Sequence, residues 1–242
     1  MMSLPMDYLA AAGMLKKCVA AYVSFEQLGL APNFRTAVQN GEVEVWECDE
    51  TMIVAGFEAA AKGLPCGITR AGIGTDLLQV NAELKEFADP ISGEKVIAVP
   101  PLKPAVAFLH VQKADAFGNC INEGPIFLDR LIAQATKRSG GIVIASTEEI
   151  QDHAATIADP WKVTLPSILV DAVVEIPWGA HPCSSNGRYR CDDESLEEYF
   201  AMTRESFETY FAKYVEGETG PIPYIDRVGS SRCESLRLQE GI

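Results

Sequence analysis

Pro125-Ile-Phe-Leu-Asp-Arg-Leu-Ile-Ala-Gln-Ala-Thr-Lys-Arg-Ser-Gly-Gly-Ile-Val-Ile-Ala145 decides the fold. Pro125–Arg138 is an amphipathic helix by its apolar spacing, and Gly140-Gly141 ends it. Ile142–Ala145 is a short apolar run that reads as a buried strand, with Glu148-Glu149 just past its end. Upstream, Val106–Val111 is a second β-prone run. Strand, helix, strand is the repeating unit of an α/β protein with helices covering a mainly parallel sheet.

The same alternation extends outward. Lys17–Tyr22 and Lys95–Val99 are apolar and β-prone, and Glu42–Glu47 alternates strictly, as a half-exposed strand does. Pro32–Asn40 reads as a helix closed by Gly41, and Thr51–Lys62 as an alanine-rich helix closed by Gly63. Leu64–Thr69 is another short apolar run, and Val170–Ile176 another strand. Asp192–Val215 is expected to form one long helix, with Leu196, Tyr199, Phe200, Thr203, Phe207, Tyr210, Phe211 and Tyr214 recurring at steps of three and four. With no internal repeat and no long linker, the chain reads as a single domain over 1–242, ending in this helix and a tail (192–242).

The chain has 242 residues, 48% of them apolar, and a formal net charge of −14. That length supports a core without disulfide or metal staples. The charge excludes a nucleic-acid or anionic-membrane binder, since both need a basic footprint. Nine acids against two bases in 192–219 supply half of the charge, the pattern of a solvated helix face. Seven cysteines without a CxxC pair, no signal peptide and no apolar run of membrane-spanning length fit reduced thiols in a cytoplasm. His110, His153 and His181 have none of the short ligand spacings of a zinc site.

Ligands in open α/β sheets bind beyond the carboxyl ends of strands. Five segments qualify. In Arg70-Ala-Gly-Ile-Gly-Thr-Asp76, Gly72 and Gly74 permit close backbone approach to an anion and Arg70 adds positive charge; a plain glycine turn is the alternative. Lys113–Asn119 reads as a tight turn. Glu26 lies in apolar company past a candidate strand; burial would raise its pKa and suit a general base or nucleophile, whereas a solvent-facing loop acid is the plainer reading. Glu148-Glu149 pairs two carboxylates. His181, between Ala180 and Pro182, fits a structural role. No GxSxG nucleophile motif occurs.

Several segments match one family in order. They are Tyr22-Val-Ser-Phe-Glu-Gln-Leu-Gly-Leu-Ala-Pro-Asn-Phe-Arg35, Gly63-Leu-Pro65, Gly72-Ile-Gly-Thr75, Val99-Pro100, His110, Ala114-Asp-Ala-Phe-Gly-Asn119, Glu148-Glu149, and Asp171-Ala-Val-Val174 with Pro177-Trp-Gly-Ala-His-Pro182. Over about residues 7–230 the chain resembles the A (alpha) subunit of class I CoA-transferases, in the branch of the glutaconate CoA-transferase A subunit. The resemblance implies an open α/β sheet with a mostly parallel core and a B subunit of the same fold, often in an A2B2 tetramer. It implies transfer of CoA between an acyl-CoA and a carboxylic acid, with CoA as substrate and no metal or prosthetic group. In such enzymes a B-subunit glutamate in a Ser-Glu-Asn-Gly motif attacks the acyl-CoA. That motif does not occur here, so the nucleophile is expected from the partner. Arg70, Gly72, Gly74, Thr75 and Asn119 are the expected CoA or substrate contacts, and Arg70, Lys103 or partner residues are expected to offset the acidic background around the CoA phosphates.

The resemblance also implies a missing piece. Family A subunits begin with an α/β segment carrying Gly-Gly-Phe, and this chain is expected to lack it. A related branch opens a carbon–carbon bond in cyclic, steroid-derived CoA thioesters; there the catalytic glutamate belongs to the A subunit, in a segment similar to Tyr22–Glu26, which makes Glu26 the candidate. A non-catalytic scaffold subunit is the third possibility.

Overall fold

The computed structural model describes residues 3–217 and 220–238. The sequence reads as one domain; the structure gathers into two compact units, Met1–Ala105 with Leu131–Gly141, and Val106–Arg130 with Ile142–Ile242.

The first unit runs α1 (Ser3–Ala11), β1 (Lys17–Ala20), α2 (Pro32–Gln39), β2 (Glu44–Glu47), α3 (Glu50–Lys62), β3 (Gly67–Thr69), α4 (Leu77–Val80), β4 (Lys85–Ala88) and β5 (Lys95–Val99). β1 and β2 pair in parallel, Cys18 opposite Val45. β5 lies between β3 and β4 and is antiparallel to both. The Asp49 carboxylate starts α3 by accepting the Thr51 N–H at 2.7 Å, and Gly63, at φ +68°, ends it in the left-handed region. Beyond Met52, the buried residues of α3 are small (Ala55, Gly56, Ala59, Ala60), so a strand can approach its backbone there. A Cβ on Gly67 would stand 2.2 Å from the Ala55 carbonyl oxygen, so only glycine fits where β3 meets α3. Trp46, Cys48, Met52, Ala55, Leu84, Ile97 and Val99 form the core of this unit.

The second unit contains β6 (Val106–Ala114), β7 (Cys120–Ile121), β8 (Ile142–Ile150) and β9 (Ala172–Glu175), in the order β7-β6-β8-β9. β6, β8 and β9 are parallel, with His110 opposite Ser146 and Ser146 opposite Val174; β7 is antiparallel. α5 (Asp129–Arg138) connects β7 to β8, and α6 (His153–Ala158) follows β8. Among the described residues, four helices follow: α7 (Asp193–Glu205), α8 (Phe207–Tyr214), α9 (Pro221–Val228) and α10 (Ser230–Leu236). Trp178, Tyr189, Cys233 and Leu236 form a core cluster here. No helix among the described residues is long and apolar enough to cross a membrane.

The α/β class is the one expected, with differences in detail. The strands divide among three sheets, and β3-β5-β4 is wholly antiparallel. β8 runs on to Ile150, so Glu148 and Glu149 lie inside the strand rather than after it. α5 starts at Asp129, four residues later than the apolar spacing suggests. The single helix expected over Asp192–Val215 is two helices, broken where Ser206 is extended (φ −162°, ψ 125°) and its hydroxyl caps α8. The break lets α8 fold against α7: Tyr199 and Tyr210 meet edge to face at 4.9 Å, and the Tyr214 hydroxyl donates to Glu198 at 2.7 Å. In one continuous helix those last two residues would be about 24 Å apart. Glu218, counted in the acidic run, lies outside the described residues.

Candidate functional site

Two loops of the first unit carry most of the expected site residues. Glu26 sits beyond the carboxyl end of β1, in a turn of 3-10 helix over Glu26–Leu28. The turn is closed by its own backbone: Phe25 N–H donates to the Gly29 carbonyl at 2.8 Å, and Ser24 and Leu30 bridge its two sides. Phe25 is buried below it and Glu26 is exposed at its tip. Glu26 has φ +50°, a left-handed conformation costly for a residue with a Cβ. A non-glycine residue persists there only where the surroundings over-determine it, and such positions cluster at ligand-binding sites. The carboxylate is therefore presented to solvent by a hydrogen-bonded turn rather than buried in an apolar pocket.

Arg70, Gly72, Gly74 and Thr75 share the loop that follows β3. Gly72 (φ +85°) and Gly74 (φ +79°) are both left-handed. Gly72 is the packed one, since a Cβ there would come within 2.8 Å of Met52 Cε, whereas Gly74 has open space around it. The Thr75 hydroxyl donates to the Gly72 carbonyl at 2.8 Å and accepts from the Leu77 N–H, which links the loop to α4. Arg70 pairs with Glu94 at 2.8 Å, both side chains mostly in water. Such a pair contributes about 0–1 kcal/mol, so a phosphate could displace Glu94 at little cost. This loop does not follow a parallel strand as expected, because β3 belongs to the antiparallel sheet. Lys103 is exposed.

Asn119 lies in the second unit, and its amide is already engaged. It donates to Asp115 Oδ2 at 2.8 Å and accepts from the Ser167 N–H at 3.1 Å. Asp115 also accepts from the Phe117 and Asn119 N–H groups and from His153 Nδ1 at 2.7 Å. Burial opposes the Asp115 charge, but these bonds outweigh it and hold the carboxyl below its ordinary value. The turn read from Asp115-Ala-Phe-Gly-Asn119 is thus a cross-linked one.

The second unit also contains a carboxylate network that sequence reasoning reached only in pieces. Ser146 and Glu148 project from one face of β8, beside His110 on β6. His110 Nε2 donates to Glu148 Oε1 at 2.9 Å, and its Nδ1 lies 2.9 Å from Ser146 Oγ. The Tyr189 hydroxyl donates to the same carboxylate oxygen at 2.6 Å, and the Trp178 N–H donates to Oε2 at 2.7 Å. The Glu148 side chain is 7% exposed. Burial pushes its pKa up, yet the three donors more than compensate, so it stays ionised below the usual carboxylate range. Burial and the Glu148 charge push the Tyr189 hydroxyl far up. Trp178 is a second non-glycine residue at positive φ (+65°), held there by Glu148 and by stacking on Tyr189 at 4.3 Å. Glu149 points the other way, toward Arg188 at 3.0 Å, which also binds Glu123. The period-two pattern from His110 to Glu148 signals the network once β8 is allowed its full length; nothing local signals Tyr189.

The His181 side chain and its partner Asp192 are buried, and its other partner, Tyr224, is half-buried. Its Nε2 donates to Asp192 Oδ2 at 3.0 Å, and its Nδ1 accepts from the Tyr224 hydroxyl at 2.7 Å. Burial lowers its pKa despite Asp192, so the ring is neutral. Arg232 grips Asp192 with two nitrogens, and Asp192 caps α7 through Ser195. This is the structural role expected for His181.

A family model described as coenzyme A transferase matches residues 4–176. An uncharacterised protein of Archaeoglobus fulgidus is 40% identical over 97% of this chain, which spans 53% of that protein. The A subunit of 3-oxoadipate CoA-transferase from Pseudomonas knackmussii is 32% identical over 87% of this chain and 74% of its own length. The cholesterol ring-cleaving hydrolase IpdA subunit of Rhodococcus jostii is 32% identical over 86% of this chain and 73% of its own. Among solved structures, glutaconate coenzyme A-transferase of Acidaminococcus fermentans superposes with a TM-score of 0.91 at 27% identity, over 98% of this chain and 80% of that one.

Proposed function

Since the chain belongs to the coenzyme A transferase family, we propose that it is the A subunit of an enzyme that moves CoA between an acyl-CoA and a carboxylic acid. The whole-chain likeness to the glutaconate enzyme carries this reading. The chain has no Ser-Glu-Asn-Gly segment. Its B-subunit partner then supplies the attacking glutamate, which forms an acyl anhydride and then a glutamyl-CoA thioester. An A2B2 assembly in the cytoplasm fits this role. In this chain the loop after β3 offers CoA a guanidinium whose present partner is weakly held, and open backbone at Gly74. The test is co-expression with a B subunit of the same family, followed by assay of exchange between acyl-CoA and dicarboxylates such as glutaconate or 3-oxoadipate. Exchange that requires both chains supports the reading; a stable pair that exchanges CoA with none of them removes it.

A second reading rests on the Glu26 turn. An exposed carboxylate fixed in a strained backbone suits a residue that acts on substrate itself, as in a hydrolase that opens a carbon–carbon bond of a cyclic CoA thioester. Glu26→Gln keeps the shape and removes the base. A loss of roughly 10²–10⁴ in kcat is expected under this reading. Unchanged turnover returns Glu26 to a structural role.

A further inference from the structure

Residues 182–192 fold back on themselves between His181 and α7. The reversal is at Asn186–Arg188, with Gly187 at φ +69°. Two backbone hydrogen bonds of 3.1 Å join Ser185 and Tyr189 across it, and the Asp192 N–H donates to the Pro182 carbonyl at 2.8 Å. Cys183 and Cys191 thus lie on opposite arms of the fold-back, between the Pro182–Asp192 and Ser185–Tyr189 hydrogen bonds, although the Cys183 N–H itself donates to Ala180 at 2.9 Å in the preceding turn. The Cys191 thiol donates to the Pro182 carbonyl oxygen at 3.4 Å. That oxygen is about 2.8 Å from the Cα of Cys183 by peptide geometry, so the Cys191 sulfur lies within about 6.2 Å of that Cα. A cystine needs its Cα atoms roughly 4.4–6.8 Å apart, and the Asp192 N–H bond to the Pro182 carbonyl holds the Cα atoms of Cys183 and Cys191 within about 8 Å of each other. Both thiols are only partly buried, whereas Cys18 and Cys48, another pair of neighbours, are sealed in the core. Cys191 also feels the ionisation of Cys183 as an opposing charge.

We propose that Cys183 and Cys191 are a disulfide-forming pair that closes the 182–192 hairpin when the protein meets a small-molecule disulfide. The Cys191 thiolate attacks one sulfur of the reagent RSSR, and RS⁻ leaves. The Cys183 thiolate then attacks the Cys191 sulfur of the mixed disulfide, and a second RS⁻ leaves. Two protein thiols lose two electrons, one RSSR gains them, and the two thiol protons end on two RSH. Burial and the nearby acids push the Cys191 thiol up to about 11, so exchange is slow at neutral pH and speeds up in mild alkali. The product ties the segment bearing Tyr189 and Asp192 at its base.

The test uses the folded full-length chain, with oxidised glutathione as probe at pH 8.5, then alkylation under denaturing conditions, trypsin and mass spectrometry. Trypsin cuts after Arg188 and Arg190, so the two cysteines fall on different peptides that only a disulfide keeps together. The expected result is that linked pair, at a yield several-fold above any other cysteine pairing and abolished by dithiothreitol. In Cys183→Ser, Cys191 should instead retain glutathione as a stable mixed disulfide. Circular dichroism checks that both proteins stay folded. Recovery of Cys183 and Cys191 as alkylated thiols, or as separate glutathione adducts in the unsubstituted chain, would overturn the proposal.

Discussion

Replacing Asp192 by alanine tests whether the second unit depends on one buried carboxylate. Its side chain is 3% exposed and serves three partners: the N–H and hydroxyl of Ser195 at the start of α7, His181 Nε2, and the Arg232 guanidinium at 2.6 and 2.5 Å. Loss of the helix cap costs about 1 kcal/mol. His181 is left with a buried donor and no acceptor, a further cost of about 1–2 kcal/mol. Arg232 is 31% exposed and also meets Glu194, so solvent screens it and its share is at most about 1 kcal/mol. Together these predict a loss of about 2–4 kcal/mol, or a fall in Tm of about 4–16 °C for a chain of this length. Burial opposes the Asp192 charge, but Arg232, Ser195 and His181 hold its pKa well below the ordinary carboxylate value. A carboxyl with a depressed folded pKa contributes stability above its unfolded value, near 3.9, and loses it as pH falls toward the folded one. The Tm gap between the parent and Asp192→Ala should therefore be full at pH 7 and shrink below about pH 4. Urea and thermal unfolding followed by circular dichroism read both quantities. A gap under about 2 °C at pH 7, or one of constant size down to pH 3, would refute the reasoning.

Gly72→Ala meets both a left-handed backbone and Met52, and should cost about 2–3 kcal/mol in urea unfolding, against about 1 kcal/mol for Gly74→Ala, where space is open. Equal losses would show that Met52 yields. Tyr189→Phe removes a donor from buried Glu148 and leaves the Ala180 N–H without its acceptor, so a loss of about 1–3 kcal/mol is expected from denaturant midpoints. Burial keeps His181 neutral in the fold, while an unfolded histidine takes up a proton below about pH 6.5, so stability should decline from pH 6.5 to 5. His181→Gln should flatten that decline in a pH series of melting curves.

Local signals located β1, β2, β3, β5, β6, β8, β9, α2, α3 and α5, because helix ends and apolar runs are properties of a few neighbouring residues; α1, α4, β4, β7, α6, α9 and α10 were not read from the sequence. Gly63 closes α3 in the sequence as it does in the fold. The turn at Asp115–Asn119 and the structural role of His181 were legible for the same reason. The partner of a three-residue strand is set from far away, so the antiparallel placement of β3 was not. Neither was the break at Ser206: the residues on both sides favour helix, and contacts between Tyr199 and Tyr210 decide. Of the candidate site, Glu26 and the glycine loop stand out in the chain, but their backbone angles do not. The Glu148 network needed Tyr189, which lies 41 residues beyond Glu148 and is held there by tertiary packing.

The segment Leu131–Gly141 belongs to the first unit although β6 and β7 come before it in the chain. Its Arg138 guanidinium lies over Gly63, where a Cβ would stand 3.1 Å from it. The amino-terminal half therefore lacks one of its own pieces until residue 141 has been synthesised. A protein cut after Ala105 exposes the surface that this segment covers, and adding Leu131–Gly141 as a separate peptide should protect it. During synthesis the first unit waits on residues 131–141, and this non-local closure sets a floor on its folding time.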